Sequence, residues 1–232
     1  MRPNFIIHGE KFPLVKRVIS IAGLEVHLAM VPYDAAQLER IVRVRGLREE
    51  AWPYWLEEWT ATYALAEFLD REDPAGWPGP ALDLGCGAGF MAAYLRNRFG
   101  IAAFSCDLNP DACRLASLNV RGQNPSQTME SAPSRVFCGD FSTFPMRATF
   151  GLVLAGEMLY AQENHQPILE FLARHLAPGG KAFFADPGRS AAYGFRQAAE
   201  TEGFHVDIRE TKTSGEGRKV DIYQLSRKIA SE

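Results

Sequence analysis

The sequence predicts an α/β protein: a doubly wound, seven-stranded and mostly parallel sheet with helices on both faces and an antiparallel C-terminal strand, preceded by a small hairpin-and-helix extension. Three observations carry that prediction. After residue 80, short apolar runs alternate with helical patterns, ALDLG, GFMAAYLRNRFG, AAFSCD and PDACRLASLNVRG, which is how βαβ units read. Three more apolar runs, RVFCGD, GLVLAGE and KAFFAD, continue the series. The last two, FHVDIRETKT and RKVDIYQL, flank the polar turn SGEG and read as an antiparallel pair at the sheet edge.

Composition fits that architecture. The chain has 232 residues, 47% of them hydrophobic and 23% charged, enough for one sizeable domain with its own core. Its 25 Lys and Arg against 28 Asp and Glu leave a net charge of -3, which sets up no field for a phosphate backbone, so no nucleic-acid partner is expected. The four cysteines, Cys86, Cys106, Cys113 and Cys138, form no CxxC pair and have no histidine at ligand spacing. They are read as reduced thiols of a cytoplasmic protein without a metal site. The first seventeen residues hold no apolar stretch of signal length, and no run approaches the ~18 apolar residues of a membrane span.

The elements follow in order. Leu14 to Val31 reads as a hairpin turning at Ala22-Gly23, and Asp34 as the cap of a short helix through Arg45. Arg40, Arg43, Arg45 and Arg48 fall at near-helical spacing and are read as a solvated face, with docking of an acidic protein surface as the alternative. Leu56, Trp59, Tyr63, Ala66 and Leu69 recur at three- and four-residue steps, predicting an amphipathic helix from about Pro53 to Arg71, ended by the turn chemistry of Asp70 to Pro80. Further helices are expected over Gln162 to Leu176 and Ser190 to Glu202, and a polar loop over Arg121 to Arg135. Residues 1–50 are taken as an extension and 51–232 as the main domain.

The most informative string is Ala81-Leu82-Asp83-Leu84-Gly85-Cys86-Gly87-Ala88-Gly89-Phe90. A buried strand runs into a glycine turn and then a helix, a setting in which backbone can approach a ligand without Cβ atoms in the way. The spacing is GxGxG, not the GxGxxG of a dinucleotide site, which argues against a nicotinamide cofactor. Asp83 is an acid inside a strand that should be apolar on both faces, placed to hold a cationic amine or a water. Asp107 ends the next strand 24 residues later (107 − 83), where a ribose diol would be met, and Asp140 with Phe141 ends the third. Singly, a strand-end aspartate is a helix cap and a glycine turn is a turn. In this order they describe a site for a nucleoside-containing cofactor at the carboxyl ends of the strands.

On these residues the chain, from about Pro53 to Leu225, resembles the class I, Rossmann-like S-adenosylmethionine-dependent methyltransferases. The resemblance implies S-adenosyl-L-methionine as cofactor, with Asp83, Gly85, Gly87 and Gly89 at its methionine part, Asp107 at the ribose, Asp140 and Phe141 at the adenine, and Leu108 and Ala155 also lining the site. The fourth strand ends in Ala155-Gly156-Glu157-Met158-Leu159-Tyr160, without the Asn or Asp, two prolines and aromatic of base-amine methyltransferases. No cysteine stands there to attack a base. Asp186-Pro187-Gly188-Arg189 supplies a single acid, too few for a magnesium site.

Three strings are more specific: PYWLEEW with the following ALA (residues 53–59 and 64–66), Glu157-Met158-Leu159-Tyr160, and Asp186-Pro187-Gly188-Arg189. They resemble the protein-lysine methyltransferase family related to the electron-transfer-flavoprotein β-subunit enzyme. That likeness implies that Trp59 borders the cofactor, that Glu157 orients the incoming amine, that Tyr160 walls its channel, and that the partner is a protein such as the electron-transfer flavoprotein β-subunit. The family commonly has Asp where this chain has Glu157, one methylene longer. Two other readings stay open at this point: a small-molecule N-methyltransferase and a catalytically silent cofactor-fold binding protein. Arg189 is read as either pairing locally or touching a substrate.

Overall fold

A computed structural model describes residues 4–32, 34–45, 52–72, 77–121, 135–143, 147–212, 217 and 219–228. Residues 122–134 of the expected polar loop, 214–216 of the SGEG turn with Thr213 before it, 73–76 of the helix-ending segment, and Arg48 lie outside them.

Two hairpins open the chain. The strands β1 (Asn4–Ile7) and β2 (Glu10–Pro13) pair antiparallel about His8-Gly9, and β3 (Val15–Ile21) and β4 (Leu24–Met30) about Ala22-Gly23. In both turns the two central residues have positive φ, 48° and 83° in the first and 49° and 78° in the second, the geometry that matches the right-handed twist of the strands. The second hairpin was expected; the first was not. Helix α1 (Ala35–Arg45) starts where Asp34 Oδ1 accepts the Gln37 N–H at 2.9 Å, a side-chain N-cap. Arg40 is not merely solvated: its Nε donates to Glu10 at 2.8 Å and its guanidinium covers the Phe12 ring.

The helix expected over Pro53 to Arg71 is shorter. A single 3-10 turn at Tyr54–Leu56 precedes α2 (Thr60–Leu69), and Glu57 and Trp59 between them are extended. The break turns Trp55 and Leu56 into the core, at 6% and 1% exposure, and leaves Trp59 as the N-cap residue of α2.

The sheet contains β5 (Ala81–Leu84), β6 (Ala103–Asp107), β7 (Arg135–Cys138), β8 (Phe150–Gly156), β9 (Leu176–Asp186), β10 (Phe204–Lys212) and β11 (Lys219–Arg227). Their order is β10-β11-β9-β8-β5-β6-β7, and β11 runs antiparallel to both its neighbours while the other strands are parallel. The order reverses between β5 and β8, which opens a crevice at their carboxyl ends. Helices α3 (Phe90–Phe99) and α4 (Pro110–Arg121) follow β5 and β6; α5 (His165–His175) and α6 (Phe195–Thr201) follow β8 and β9. Both of these last helices are preceded by 3-10 turns, at Gln162–Asn164 and Ser190–Gly194, so they start later than periodicity alone suggests.

Strand alternation sorts the core onto the two sheet faces. Leu152, Leu154, Phe183, Ala185 and Ile222 pack with α2, α3 and the N-terminal hairpins, whereas Val153, Ala155, Ala182, Phe184 and Tyr223 pack with α5 and α6. Phe5, Ile7, Phe12, Val26, Leu28 and Ile41 of the N-terminal segment belong to the first of these clusters. No described helix is long and apolar enough to cross a membrane.

One side chain stitches the N-terminal hairpin to the rest. Asn119 of α4, 3% exposed, accepts the Ala29 N–H at 2.7 Å and donates to Ala29 O at 3.1 Å and Ala88 O at 2.8 Å. It thus completes an edge of β4 and holds the glycine turn with one amide. Asn119→Ala leaves three part-buried backbone groups without this partner and should cost about 1–3 kcal/mol, checked as a lowered urea midpoint at unchanged m-value.

Candidate active site

The turn from β5 into α3 is built by its glycines. Gly85, Gly87 and Gly89 have φ of 70°, 49° and 82°, left-handed values that disfavour any side chain. At Gly85 a Cβ would also lie 2.3 Å from Met158 Sδ, and at Gly89 2.9 Å from Ala116. The Gly85 and Cys86 N–H groups both donate to Cys106 O, at 2.9 and 3.0 Å, and Gly87 N–H donates to Asp107 Oδ2 at 2.9 Å. Asp107 Oδ1 accepts Asn109 N–H at 2.8 Å. Burial pushes the Asp107 carboxyl up, against the pull of the Asn109, Gly87 and Leu108 amides. A carboxylate has about four acceptor positions, so these amides leave it capacity for a ligand.

Asp83 is the anomaly beneath this turn. It is 4% exposed in a strand otherwise apolar, and among the described residues its Oδ2 has no hydrogen-bond partner. Burial pushes its carboxyl up to about 7; the Ala92 amide opposes the shift and the charge of Asp107 adds to it. A buried carboxylate oxygen left without a partner costs stability unless something else satisfies it. A cation or hydrogen-bond donor does so, and the ammonium of an amino-acid moiety is both.

The neighbouring strand ends add a rim. Leu108, beside Asp107, is 72% exposed. Gly139 N–H donates to Asp107 O at 3.0 Å, which sets Asp140 next to the ends of β6 and β7. Asp140 is exposed; its Oδ1 accepts both the Ser142 N–H at 2.9 Å and the Ser142 hydroxyl at 2.7 Å, which hold the carboxyl below its usual range. Phe141 stands edge-on to Phe171 at 5.7 Å between ring centroids. Ala155 is placed differently: it is fully buried in β8 with its side chain in the cluster of α5 and α6.

A second constellation sits at the ends of β8 and β9. Glu157 is 7% exposed and has φ of 61°, a left-handed non-glycine residue whose strain, on the order of 1–3 kcal/mol, must be held by its contacts. Its N–H donates to Ala185 O at 2.8 Å, its Oε1 accepts Ala61 N–H at 3.1 Å, and its Oε2 pairs with the Arg189 guanidinium. Ala61 lies in the first turn of α2, so a strand-end carboxylate caps a helix N-terminus from outside. Arg189 also pairs with Asp186 Oδ2 at 3.2 Å, while Asp186 Oδ1 accepts the Gly188 and Arg189 N–H groups at 2.8 and 2.7 Å. The guanidinium stands 5.6 Å from the Trp59 ring centroid, and Trp59 Nε1 donates to Tyr54 O at 3.0 Å. Tyr160 is 59% exposed three residues beyond Glu157.

The fold therefore brings Asp83, Gly85, Gly87, Gly89 and Asp107 together, with Leu108 and Asp140 on their rim, and gathers Glu157 and Trp59 round a group sequence reasoning left unassigned. Arg189 bridges Glu157 and Asp186 while lying near Trp59. Gly156 completes the arrangement, because a Cβ there would lie 2.0 Å from Thr62 Oγ1 and push α2 off the strand end. A glycine directly before a strand-end acid was the only sequence trace of that close approach.

Known proteins share this frame. Residues 82–184 match the family described as methyltransferase domain. The ribosomal protein L11 methyltransferase of Chelativorans sp. (strain BNC1) is 31% identical over 119 residues, 51% of this chain and 39% of that protein. The chain thus spans about two fifths of that relative's length. Among solved structures, a TehB-like S-adenosylmethionine-dependent methyltransferase from Corynebacterium glutamicum superposes with a TM-score of 0.56 at 22% identity, over 84% of this chain and 100% of that one. The glycopeptide N-methyltransferase MtfA in complex with S-adenosylhomocysteine gives a TM-score of 0.58 at 16% identity, over 74% and 91%. A seven-stranded sheet of this order, the glycine turn at its switch point and the match over residues 82–184 together show that the chain has the class I methyltransferase fold.

Proposed function

We propose that the chain is an S-adenosyl-L-methionine-dependent methyltransferase that acts on a lysine side chain of a protein. The observation that carries the cofactor assignment is the buried Asp83 oxygen with no protein partner under a left-handed glycine turn. When bound, the cofactor supplies a methyl group on a sulfonium, open to in-line displacement by a nitrogen lone pair. Asp83 and the Gly85–Gly89 turn hold the methionine part, Asp107 the ribose through its spare lone pairs, and Asp140, Phe141 and Leu108 the adenine. Ala155 backs the site from within β8.

At the other constellation, Glu157 accepts a hydrogen bond from the incoming amine through the lone pairs that Ala61 and Arg189 leave free. The Arg189 charge next to it disfavours a second cation, which favours the neutral, nucleophilic form of a lysine. Trp59 and Tyr160 wall the approach. The lysine reading is supported by the PYWLEEW, Glu157-to-Tyr160 and Asp186-to-Arg189 strings. The protein reading is supported by relatives named for methylating a ribosomal protein. The electron-transfer flavoprotein β-subunit is the first substrate to test, ribosomal protein L11 the second.

Incubation of the chain with methyl-labelled cofactor and each protein, or a cell lysate, should place label in methyllysine after hydrolysis. Label confined to small molecules contradicts the protein reading. Glu157→Gln should lower turnover on the order of 100-fold while cofactor affinity stays within about twofold; full turnover would remove Glu157 from the chemistry. Arg189→Met strands two buried carboxylates and should cost about 2 kcal/mol, less than the 3–5 of a fully buried pair because 30% of the Arg189 side chain is exposed.

Asp83 sets the pH dependence. Its carboxyl, pushed up to about 7 by burial, must lose a proton to face the cofactor's ammonium. Cofactor affinity should therefore fall about tenfold per pH unit below that value, and Asp83→Asn should bind weakly with that slope abolished, both measured by calorimetry.

A further inference from the structure

The four cysteines are scattered in sequence, yet the fold gathers all of them at the carboxyl ends of β5, β6 and β7. Cys86 lies in the glycine turn, Cys106 in β6, Cys138 at the end of β7 and Cys113 in the first turn of α4. Three are buried and Cys138 is exposed. The Cys113 Sγ lies 3.3 Å from Asp107 O and 3.5 Å from Phe137 O, the carbonyl bonded to the Cys138 nitrogen. Cys138 Sγ in turn lies 3.6 Å from Leu108 O. Both sulfurs thus lie against the backbone of one segment, Asp107–Leu108, whose carboxylate anchors the Gly87 amide, and Cys138 is paired opposite Asp107 in the sheet.

We propose that Cys113 and Cys138 form a peroxide-oxidised thiol pair whose disulfide distorts the Asp107–Leu108 segment and weakens the cofactor site; the coupling rests on the cofactor reading above. Exposure makes Cys138 the sulfur that an oxidant reaches first. Its thiolate attacks one oxygen of hydrogen peroxide, the O–O bond breaks, and the departing hydroxide takes up a proton to leave as water, giving a sulfenic acid. The Cys113 sulfur then attacks the sulfenic sulfur; the S–S bond forms, the S–O bond breaks, and the hydroxyl leaves as water with the Cys113 proton. Two thiols are oxidised by two electrons in all, and one peroxide is reduced to two waters.

Cys113 is the resolving partner because it is buried, out of an oxidant's reach, with its sulfur 3.5 Å from the carbonyl that precedes Cys138; burial also pushes its thiol up. Cys106 is also buried, pushed up to about 12, and rests 3.5 Å from Gly139 O, while Cys86 is sealed in the glycine turn. Bond formation draws the Cys113 and Cys138 sulfurs together and away from the Asp107 and Leu108 carbonyls. The carboxylate that fixes the turn and the exposed Leu108 side chain both move with that backbone.

The test uses the full chain, reduced or treated with a few equivalents of hydrogen peroxide. Peptide mapping without reductant should find a Cys113–Cys138 cross-link, and the denatured thiol count should drop from four to two. Calorimetry with S-adenosylhomocysteine should show affinity about tenfold lower after oxidation, a change of ~1.4 kcal/mol, restored by dithiothreitol and absent in Cys138→Ser. By linkage, saturating S-adenosylhomocysteine should shift the dithiol–disulfide equilibrium in a glutathione buffer toward the dithiol by the same factor. A different cross-link, or none, overturns the pair. Equal affinity before and after cross-linking overturns the coupling alone. A reduced chain that fails to bind S-adenosylhomocysteine overturns the cofactor reading and the coupling with it.

Discussion

The site depends first on one hydrogen bond, from the Gly87 amide to the Asp107 carboxylate at 2.9 Å. It spans the ends of β5 and β6 and holds the turn open in a left-handed conformation that only glycine adopts without strain. The rest of the turn is fitted to it. Met158 fills the space a Gly85 side chain would need, Ala116 that of Gly89, and Asn119 fastens the Ala88 carbonyl from α4. Because Asn119 also binds both backbone groups of Ala29, the N-terminal hairpin is part of the same support. The extension is thereby tied to the cofactor turn by direct bonds.

A second constraint governs α2. The helix approaches the end of β8 so closely that only glycine fits at 156, and its first turn is capped by Glu157. Glu157 takes an unfavourable backbone conformation to do this, stabilised by the Arg189 ion pair and the Ala185 carbonyl. The early end of the 3-10 turn and the extended Glu57 and Trp59 follow from the same geometry, since a continuous helix from Pro53 would deny α2 a free N-terminus at that place. Two constellations result: acids and glycines at β5 to β7, and a carboxylate, a guanidinium and an indole at β8 and β9. Methyl transfer needs two kinds of surface side by side, one to hold a cationic cofactor and one to receive the acceptor.

How much of this was legible in the sequence depends on the range of the interactions. The seven sheet strands showed because buried strands such as Leu82-Asp83-Leu84 and Phe150 to Ala155 are nearly unbroken apolar runs, and the glycine turn showed because its spacing is local. The first hairpin did not, because β1 and β2 are four residues each with exposed and buried positions mixed, too short for a clear alternation. The helix from Pro53 was overextended because Leu56 and Trp59 keep helical spacing while Glu57 between them does not keep helical geometry. Arg189 and Glu157 are 32 residues apart, and no spacing rule links them. The cysteines looked unrelated for the same reason, since only the parallel register of β6 and β7 sets Cys138 opposite Asp107.

The central claim is that the glycine turn, Asp83 and Asp107 make a site for a sulfonium nucleoside and not for a dinucleotide. Calorimetry of the reduced chain with S-adenosyl-L-methionine, and separately with NAD, tests it most directly. One equivalent of S-adenosyl-L-methionine should bind with NAD silent, and binding of NAD, or of neither, would contradict the account.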